Sequence, residues 1–289
     1  MDTKMKKVSH KKAQSSQIGI FCEFCAVLWL ILFFAVALCF AQQQSPPAQA
    51  DQPVKRTDEN SLVAHTQLLE KAKRGRIDIY FEGDSITRRW GATDYPQLLA
   101  NWTENFFGWN AANFGWGADT IQNILWRLNS GELDGVNPKV IVLLAGTNNL
   151  GRTVPSSADD VKVADITNGL RAVVNTMRAK ASNATIVVMA IFPRNDNIAL
   201  MPIINKINEN IAKLADGRNV RVLNINEKLA DKNGKLYEGM MNSDGLHPAI
   251  KGYQVWADAL KPLFTELLGP PGKEDRAPPA TGDPSTAKR

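Results

Sequence analysis

Short apolar segments alternate with longer amphipathic segments along this 289-residue chain, and this alternation is the strongest constraint on its fold. The apolar segments are rich in β-branched residues and are almost continuously apolar, as strands buried on both faces of a sheet are. Their length and composition predict strands. The predicted strands cover residues 77–81, 140–144, 185–191 and 220–225, and a weaker candidate covers 110–114.

Between these segments, apolar residues recur every three or four positions, which predicts helices. The clearest examples lie in residues 163–177, 203–214 and 253–267, and a shorter one begins at Ile121. Strands that alternate with helices predict an α/β fold with a parallel sheet and helices on both faces. In such a sheet the functional side chains gather beyond the carboxyl ends of the strands.

The first 41 residues resemble an export leader. Five lysines precede an uncharged apolar stretch from Phe24 to Ala41, as in a signal peptide. Small residues favour cleavage after Ala41 or after Ala50. The apolar stretch also reaches the lower limit of about 18 residues for crossing a bilayer, so a retained N-terminal membrane anchor is the alternative. Since the lysine-rich end stays cytoplasmic, we expect a periplasmic, secreted or externally anchored domain.

Composition changes mark the other boundaries. Residues 42–57 and 269–289 are rich in proline and polar residues, which predicts a disordered linker and a disordered tail. Residues 58–268 remain as a single domain with room for a sizeable core.

The leader also accounts for the cysteines and for much of the positive charge. All three cysteines lie in it, so the remaining domain has no disulfide and no thiol nucleophile. Of 34 basic and 29 acidic residues, the leader holds five and two. The remaining domain is therefore close to neutral, and nucleic acid is not an expected partner.

Polar, glycine-containing segments follow the predicted strands, and all of them should meet at one edge of the sheet. They are FEGDSITRRW at 81–90, NFGWGADT at 113–120, AGTNN at 145–149 and MNSDGLHP at 241–248.

The small number of histidines restricts which residue can act as a general base. Of the three histidines, His10 precedes the apolar leader and His65 lies in a predicted amphipathic helix, whereas His247 follows a strand. Asp244 lies three residues before His247 and can orient its ring, so that Nε2 can accept a proton from Ser85. Taken alone, each of these residues is also a common turn or helix-capping residue.

Acyl transfer also needs donors for a developing negative charge. The amide of Asn148 is one candidate, and a tight turn in NFGWGADT can supply a backbone N–H at Ala118 or at Gly117. The same turn resembles the start of a dinucleotide-binding motif. However, the third glycine position holds Thr120 and the turn follows the second strand, so nucleotide binding is not expected.

Taken together, GDSI, NFGWGADT, GTNN and DGLHP resemble the motifs of the SGNH (GDSL-type) hydrolases over residues 75–268. The second block is most similar to the branch that contains the platelet-activating-factor acetylhydrolase catalytic subunits. The resemblance implies a flavodoxin-like three-layer α/β/α sandwich with a five-stranded parallel sheet. It also implies carboxylic ester hydrolysis with no metal and no organic cofactor.

Residue by residue, the resemblance implies that Ser85 is the nucleophile, His247 the base and Asp244 the group that orients it. The backbone N–H groups of Ser85 and Ala118 and the side chain of Asn148 form the oxyanion hole.

Two positions depart from the common pattern of the family. Ala118 occupies a position that is usually glycine, and we expect the hole to be intact if its φ is negative. Asn149 replaces the more common acid of the third block. Asp84 and Asp119 match the family's acids, and we interpret them as braces of their loops.

Substrate identity is less constrained. Trp116 lies in the second block and is a candidate for stacking on a sugar ring. With export and no large lid insertion, this favours short-chain esters, and acetyl esters in particular, on a carbohydrate or cell-wall glycan. The alternatives are a lysophospholipase or thioesterase that acts on lipids, and a catalytically inactive glycan-binding protein.

Overall fold

The computed structural model describes residues 49–151 and 159–288. The predicted leader, residues 1–41, lies outside this part of the chain, as do residues 42–48 of the predicted linker. Within the two described stretches, no helix combines the length and apolar character needed to cross a bilayer.

Five parallel strands form one sheet in the order β2-β1-β3-β4-β5. They are β1 (Ile79–Gly83), β2 (Ala111–Asn113), β3 (Val140–Leu144), β4 (Thr185–Met189) and β5 (Val220–Leu223). The predicted five-stranded parallel sheet is confirmed. The chain moves outward from β1 to β2 and then returns to β3 on the other side of β1. This reversal opens a crevice at the carboxyl ends of β1 and β3, which is the usual binding position in such sheets.

Helices connect and cover the strands. They are α1 (Glu59–Ala72), α2 (Ser85–Trp90), α3 (Pro96–Phe106), α4 (Ile121–Arg127), α5 (Thr147–Leu150), α6 (Asp159–Lys180), α7 (Met201–Ala212), α8 (Asn226–Leu229) and α9 (Ile250–Leu268).

The core lies in two layers, one on each face of the sheet. In β3, Ile141 and Leu143 pack under α1, α4, α6 and α7, whereas Val140, Val142 and Leu144 pack under α2, α3 and α9. This alternation follows from the two-residue period of a strand, and it explains why β3 is apolar throughout. The three-layer α/β/α arrangement is therefore confirmed.

The C-terminal tail differs from its prediction. We expected residues 269–289 to be disordered, but residues 269–288 lie along the domain with repeated hydrogen bonds. The Asp275 carboxylate accepts from the Gly108 N–H at 2.7 Å, and the Gly269 carbonyl accepts from Trp109 Nε1 at 3.0 Å. Asp283 accepts from Asn60 Nδ2 at 2.9 Å. The composition is typical of disorder, but hydrogen bonds to loops and to α1 satisfy the polar groups of the tail.

The last part of the predicted linker is also ordered, so that prediction is wrong for residues 49–57. Ala50 is fully buried, and its N–H donates to Asp165 Oδ1 at 2.8 Å. The chain can approach α6 this closely because position 169 is glycine, where a Cβ atom would lie 2.7 Å from Ala50. Val54 then donates to the Gln122 carbonyl at 3.0 Å.

Candidate active site

Ser85 begins α2 directly beyond β1 and is half-buried. Asp84 caps the helix, because its carboxylate accepts from the Ile86 N–H at 2.8 Å. Gly83 lets the first turn fold tightly against β3, since a Cβ atom there would lie 2.4 Å from the Leu144 carbonyl oxygen. The local sequence therefore fixes the serine at the crevice between β1 and β3.

The structure brings the three predicted residues of the triad together. Nε2 of His247 lies 2.9 Å from Oγ of Ser85, and Nδ1 of His247 lies 2.8 Å from Oδ2 of Asp244. The Asp244 carboxylate also accepts the backbone N–H groups of Leu246 and His247, at 3.0 and 2.9 Å. A turn through Gly245, with φ of 65°, makes this short loop possible.

The charge states of this pair suit proton transfer. Burial alone would raise the pKa of Asp244, but the hydrogen bonds from His247 and Leu246 outweigh it and lower the pKa to about 2. Burial lowers the pKa of His247 below its ordinary value of 6.5, although Asp244 opposes the change. At neutral pH an ionised Asp244 therefore accepts Nδ1–H, which leaves Nε2 free to accept the Ser85 proton.

Arg89 is a residue of the site that the sequence analysis missed. Its Nη1 lies 3.4 Å from Oδ2 of Asp244, and its charge helps to lower the pKa of His247. A signal was available, because Arg89 follows Ser85 by four positions and therefore lies on the same face of α2.

The NFGWGADT segment forms a turn beside Ser85. The Trp116 N–H donates to the Gly83 carbonyl at 3.0 Å, and the Asp119 N–H closes the turn on the Trp116 carbonyl at 3.4 Å. Gly117 and Ala118 occupy the two central positions. The negative φ that was the condition for an intact oxyanion hole is not present at Ala118, because its φ is 62°. This is the conformation that the third residue of a type II turn requires, and it explains why glycine is favoured there.

Asn148 and Asn149 tie this turn to the end of β3. Nδ2 of Asn148 donates to the Asp119 carbonyl at 2.8 Å, and its second N–H remains for a ligand. Oδ1 of Asn149 accepts from the Ile121 N–H at 2.9 Å, which caps α4. The turn is therefore tied to the end of β1 through the bond between Trp116 and Gly83, and to the end of β3 through the bond between Asn148 and Asp119. These contacts gather the segments that carry the predicted oxyanion donors at the carboxyl ends of β1 and β3.

The side chain of Asp119 is fully buried in an ion-pair cluster, as expected for a loop brace. Nε of Arg127 lies 2.7 Å from Oδ2 of Asp119, and Nη2 of Arg127 lies 2.5 Å from Oε1 of Glu82. Arg127 also pairs with Glu132, which lies 2.6 Å from Nδ1 of His65. The cluster anchors the NFGWGADT segment to β1. His65 is part of this buried cluster and therefore has a structural role.

The proposed sugar-stacking role of Trp116 is wrong. Its side chain is buried, with 7% exposure, and Nε1 donates to Ser61 Oγ at 2.8 Å. The buried guanidinium of Arg88 lies over the ring, 4.9 Å from its centroid. Trp116 therefore packs the turn against α1 and presents no free face to a sugar.

Among the described residues, no group of three or more histidine, cysteine and acidic side chains is arranged to hold a metal ion. The chemistry that the site itself offers is nucleophilic. A hydroxyl, an imidazole, a carboxylate and amide donors converge, and this is the set that acyl transfer requires.

Comparison with known proteins agrees with this geometry. The GDSL-like Lipase/Acylhydrolase family matches residues 81–255. The chain is 30% identical over 223 residues to the platelet-activating factor acetylhydrolase IB subunit alpha2 of Gallus gallus, covering 76% of this chain and 90% of that protein. It is 29% identical to the human alpha1 subunit over 226 residues, covering 77% and 91%.

Solved structures support the fold. A GDSL-like lipase from Bacteroides thetaiotaomicron matches with a TM-score of 0.53 and 18% identity, covering 73% of this chain and 98% of that one. A protein from Streptococcus pneumonia, described by reference to platelet activating factor, matches with a TM-score of 0.56 and 23% identity, covering 71% and 92%. The sequence matches and the fold agree with the motif resemblance, and the chain belongs to the GDSL-like lipase/acylhydrolase family of carboxylic ester hydrolases.

Proposed function

We propose that this protein hydrolyses short-chain esters, principally acetyl esters, by a serine acyl-enzyme mechanism. The 2.9 Å contact between His247 Nε2 and Ser85 Oγ carries the proposal, because it places a base on the nucleophile without any rearrangement. Ser85 attacks the ester carbonyl while His247 takes its proton. His247 then protonates the leaving alcohol, and a water activated by His247 releases the acid.

The oxyanion formed in both steps is held by the backbone N–H groups of Ser85 and Ala118 and by Nδ2 of Asn148. One such donor contributes about 10²–10³ in rate in hydrolases of this type. The acetyl preference is supported by the curated relatives, which are named acetylhydrolases.

For the alcohol part of the ester, we propose a polar glycan-type substrate. The three residues Asn242, Ser243 and Asp244, which lie shortly before His247, are polar and exposed. The exposed large hydrophobic side chains within the described residues lie outside the four site segments. A polar rim favours a polar alcohol, since an apolar lip is what a lipid chain would need.

A lipid-like acetyl ester is the second candidate, and it is favoured by the relatives' name, platelet-activating factor acetylhydrolase. The two candidates share the acetyl group and differ only in the alcohol.

The experiment compares the purified protein with Ser85→Ala on four kinds of ester. These are p-nitrophenyl acetate, p-nitrophenyl octanoate, acetylated xylan or peptidoglycan oligosaccharides, and an acetylated ether phospholipid. We expect acetate to be hydrolysed faster than octanoate, and the glycan esters faster than the phospholipid. Faster turnover of the phospholipid than of the glycan esters would show that the substrate is the lipid-like acetyl ester. Failure of a fluorophosphonate probe to label Ser85 would reject the mechanism and favour a non-catalytic glycan-binding role.

We also propose export, with cleavage after Ala41 rather than after Ala50. The leader pattern supports export. The burial of Ala50 and its bond to Asp165 support the earlier site, because cleavage after Ala50 would remove a residue packed into the domain. N-terminal sequencing of protein recovered from cell fractions tests this. An N-terminus at Asp51, or recovery in the cytoplasm with the leader intact, would contradict it.

A further inference from the structure

The segment before α1 places an arginine on the turn that contains the candidate oxyanion donor. Nη1 of Arg56 donates to the Gly117 carbonyl at 3.2 Å and to Oδ1 of Asp119 at 3.1 Å. Its Nε donates to Oδ2 of Asp58, the N-cap of α1, at 2.9 Å. Arg56 lies 25 positions before the region that matches the family, which begins at residue 81.

The Gly117 carbonyl and the Ala118 N–H belong to one peptide group. A trans peptide is planar, so its carbonyl and its N–H point in opposite directions. A donor that holds the Gly117 carbonyl therefore holds the Ala118 N–H in the opposite direction, which is the direction of Ser85 in the proposed mechanism. The positive charge on the carbonyl also polarises the peptide and strengthens its N–H as a donor.

This peptide has a competing orientation. Type I and type II turns differ by rotation of their central peptide, and type II requires a positive φ at the third residue. Ala118 holds that φ, 62°, although its methyl group disfavours it. Rotation of the Gly117–Ala118 peptide would relieve Ala118 and would turn the carbonyl oxygen, an acceptor, into the oxyanion hole.

We propose that Arg56 is a positioning residue that holds the Gly117–Ala118 peptide in its catalytic orientation, so that the segment before α1 is part of the hydrolytic machinery. The proposal rests on the proposed function for its effect on rate, and it has a structural readout that is independent of turnover. Arg127 holds the other oxygen of Asp119 at 2.7 Å, so Asp119 itself stays in place when Arg56 is replaced.

The test is a double-mutant cycle with Arg56→Gln and Ala118→Gly. Arg56→Gln should lower kcat for p-nitrophenyl acetate by about 10- to 100-fold, with KM changed less than about threefold, because an oxyanion donor acts mainly in the transition state. Ala118→Gly removes the reason for the peptide to rotate. The double variant should therefore recover to within about threefold of Ala118→Gly alone, a rescue that a purely structural role for Arg56 does not predict.

Arg221→Gln is the matched control. It removes an arginine that is paired with Glu266 on the exposed edge of the sheet, and it should leave kcat unchanged. Equal kcat in Arg56→Gln and the native protein, or simple additivity of the two replacements, would overturn the proposal.

A crystal structure of Arg56→Gln separates this inference from the proposed function. The Gly117 carbonyl should be rotated toward the site in part or all of the molecules. An unrotated peptide overturns the inference even if the enzyme is an esterase. If the native protein hydrolyses no ester and Ser85 is not labelled, the proposed function fails, and the orientation of this peptide still decides the role of Arg56.

Discussion

Nη1 of Arg89 lies 3.4 Å from Oδ2 of Asp244, so a cation lies beside the candidate acid–base pair. Burial lowers the pKa of His247, and Arg89 lowers it further. Because the base must be neutral, kcat/KM should rise with pH along a limb whose apparent pKa lies below 6.5. Arg89→Gln should move that limb to higher pH. A pH–rate profile on p-nitrophenyl acetate measures the apparent pKa in the native protein and in the variant. An unchanged apparent pKa in Arg89→Gln would show that Arg89 does not influence the pKa of His247.

Asp244→Asn should reduce turnover far more than stability. Oδ1 of asparagine can still accept the N–H groups of Leu246 and His247, so the loop is retained. The amide nitrogen cannot accept Nδ1–H, which favours the wrong tautomer of His247. We expect kcat to fall by about 10²–10⁴-fold, with urea denaturation changed little. An unchanged kcat would mean that another group orients the ring.

Ala118→Gly should stabilise the protein. Alanine at φ of 62° is strained, and glycine adopts this conformation readily. Since glycine also gains entropy in the unfolded chain, the net gain should be about 0.5–1 kcal/mol in the free energy of unfolding. Gly117→Ala is the control, because a Cβ atom there meets nothing within 4 Å. Urea denaturation measures both variants, and a loss of stability in Ala118→Gly would contradict the strain.

Asp84 should make stability depend on pH. The carboxyl group is fully buried, and one oxygen has no hydrogen-bond partner. Burial raises its pKa to about 7, with Asp119 adding to the effect and the Ile86 N–H and Arg194 opposing it. The folded state therefore holds this proton more tightly than the unfolded chain. The stabilisation of the folded state by this protonated carboxyl group is fully present below about pH 4, and it is lost as the pH rises through 7.

Asp84→Asn keeps the helix cap and removes this titration. The stability of the variant relative to the native protein should therefore increase between pH 5 and pH 8. Urea denaturation at the two pH values measures the difference. A constant difference would show that Asp84 does not titrate in this range.

Removal of the tail beyond Leu268 should destabilise the folded domain. The deletion exposes Trp109 and leaves the Gly108 N–H without its partner Asp275. Each lost buried partner costs about 1–3 kcal/mol, and 1 kcal/mol corresponds to about 2–4 °C in a domain of this size. Calorimetry should show a Tm lower by several degrees. An unchanged Tm would restore the expectation of a disordered tail.

The sequence predicts the sheet best where burial alone determines the strand. β3 is recovered at both ends because all five of its residues are apolar and buried. For β1 the apolar pattern predicts a strand two residues too early, because the strand ends in Glu82 and Gly83 rather than in apolar residues. Glu82 is tolerated inside the sheet only because Arg127, which is 45 positions away, pairs with it. Sequence periodicity contains no information about such a partner.

In the candidate site, too, some features are predictable from the sequence and others depend on partners that are distant in the chain. Ser85, Asp244 and His247 were predictable because only one histidine follows a strand and an acid lies one turn away. The conformation of Ala118 was not predictable, since it depends on contacts from Arg56 and Asp119. For Trp116, stacking and packing are equally compatible with the sequence. The packing role is determined by Ser61 and Arg88, which meet the ring only after folding.

Because residues at both ends of the described domain are ordered, the folded unit is larger than residues 81–255, the region that matches the family. Residues 49–57 and 269–288 brace loops and helices on the domain, and Asp283 of the tail reaches Asn60 at the start of α1. A chimaera that exchanges only residues 81–255 with a relative would separate the hydrolytic core from both braces. Recombination or domain grafting should therefore succeed only when the flanking stretches are transferred with the core.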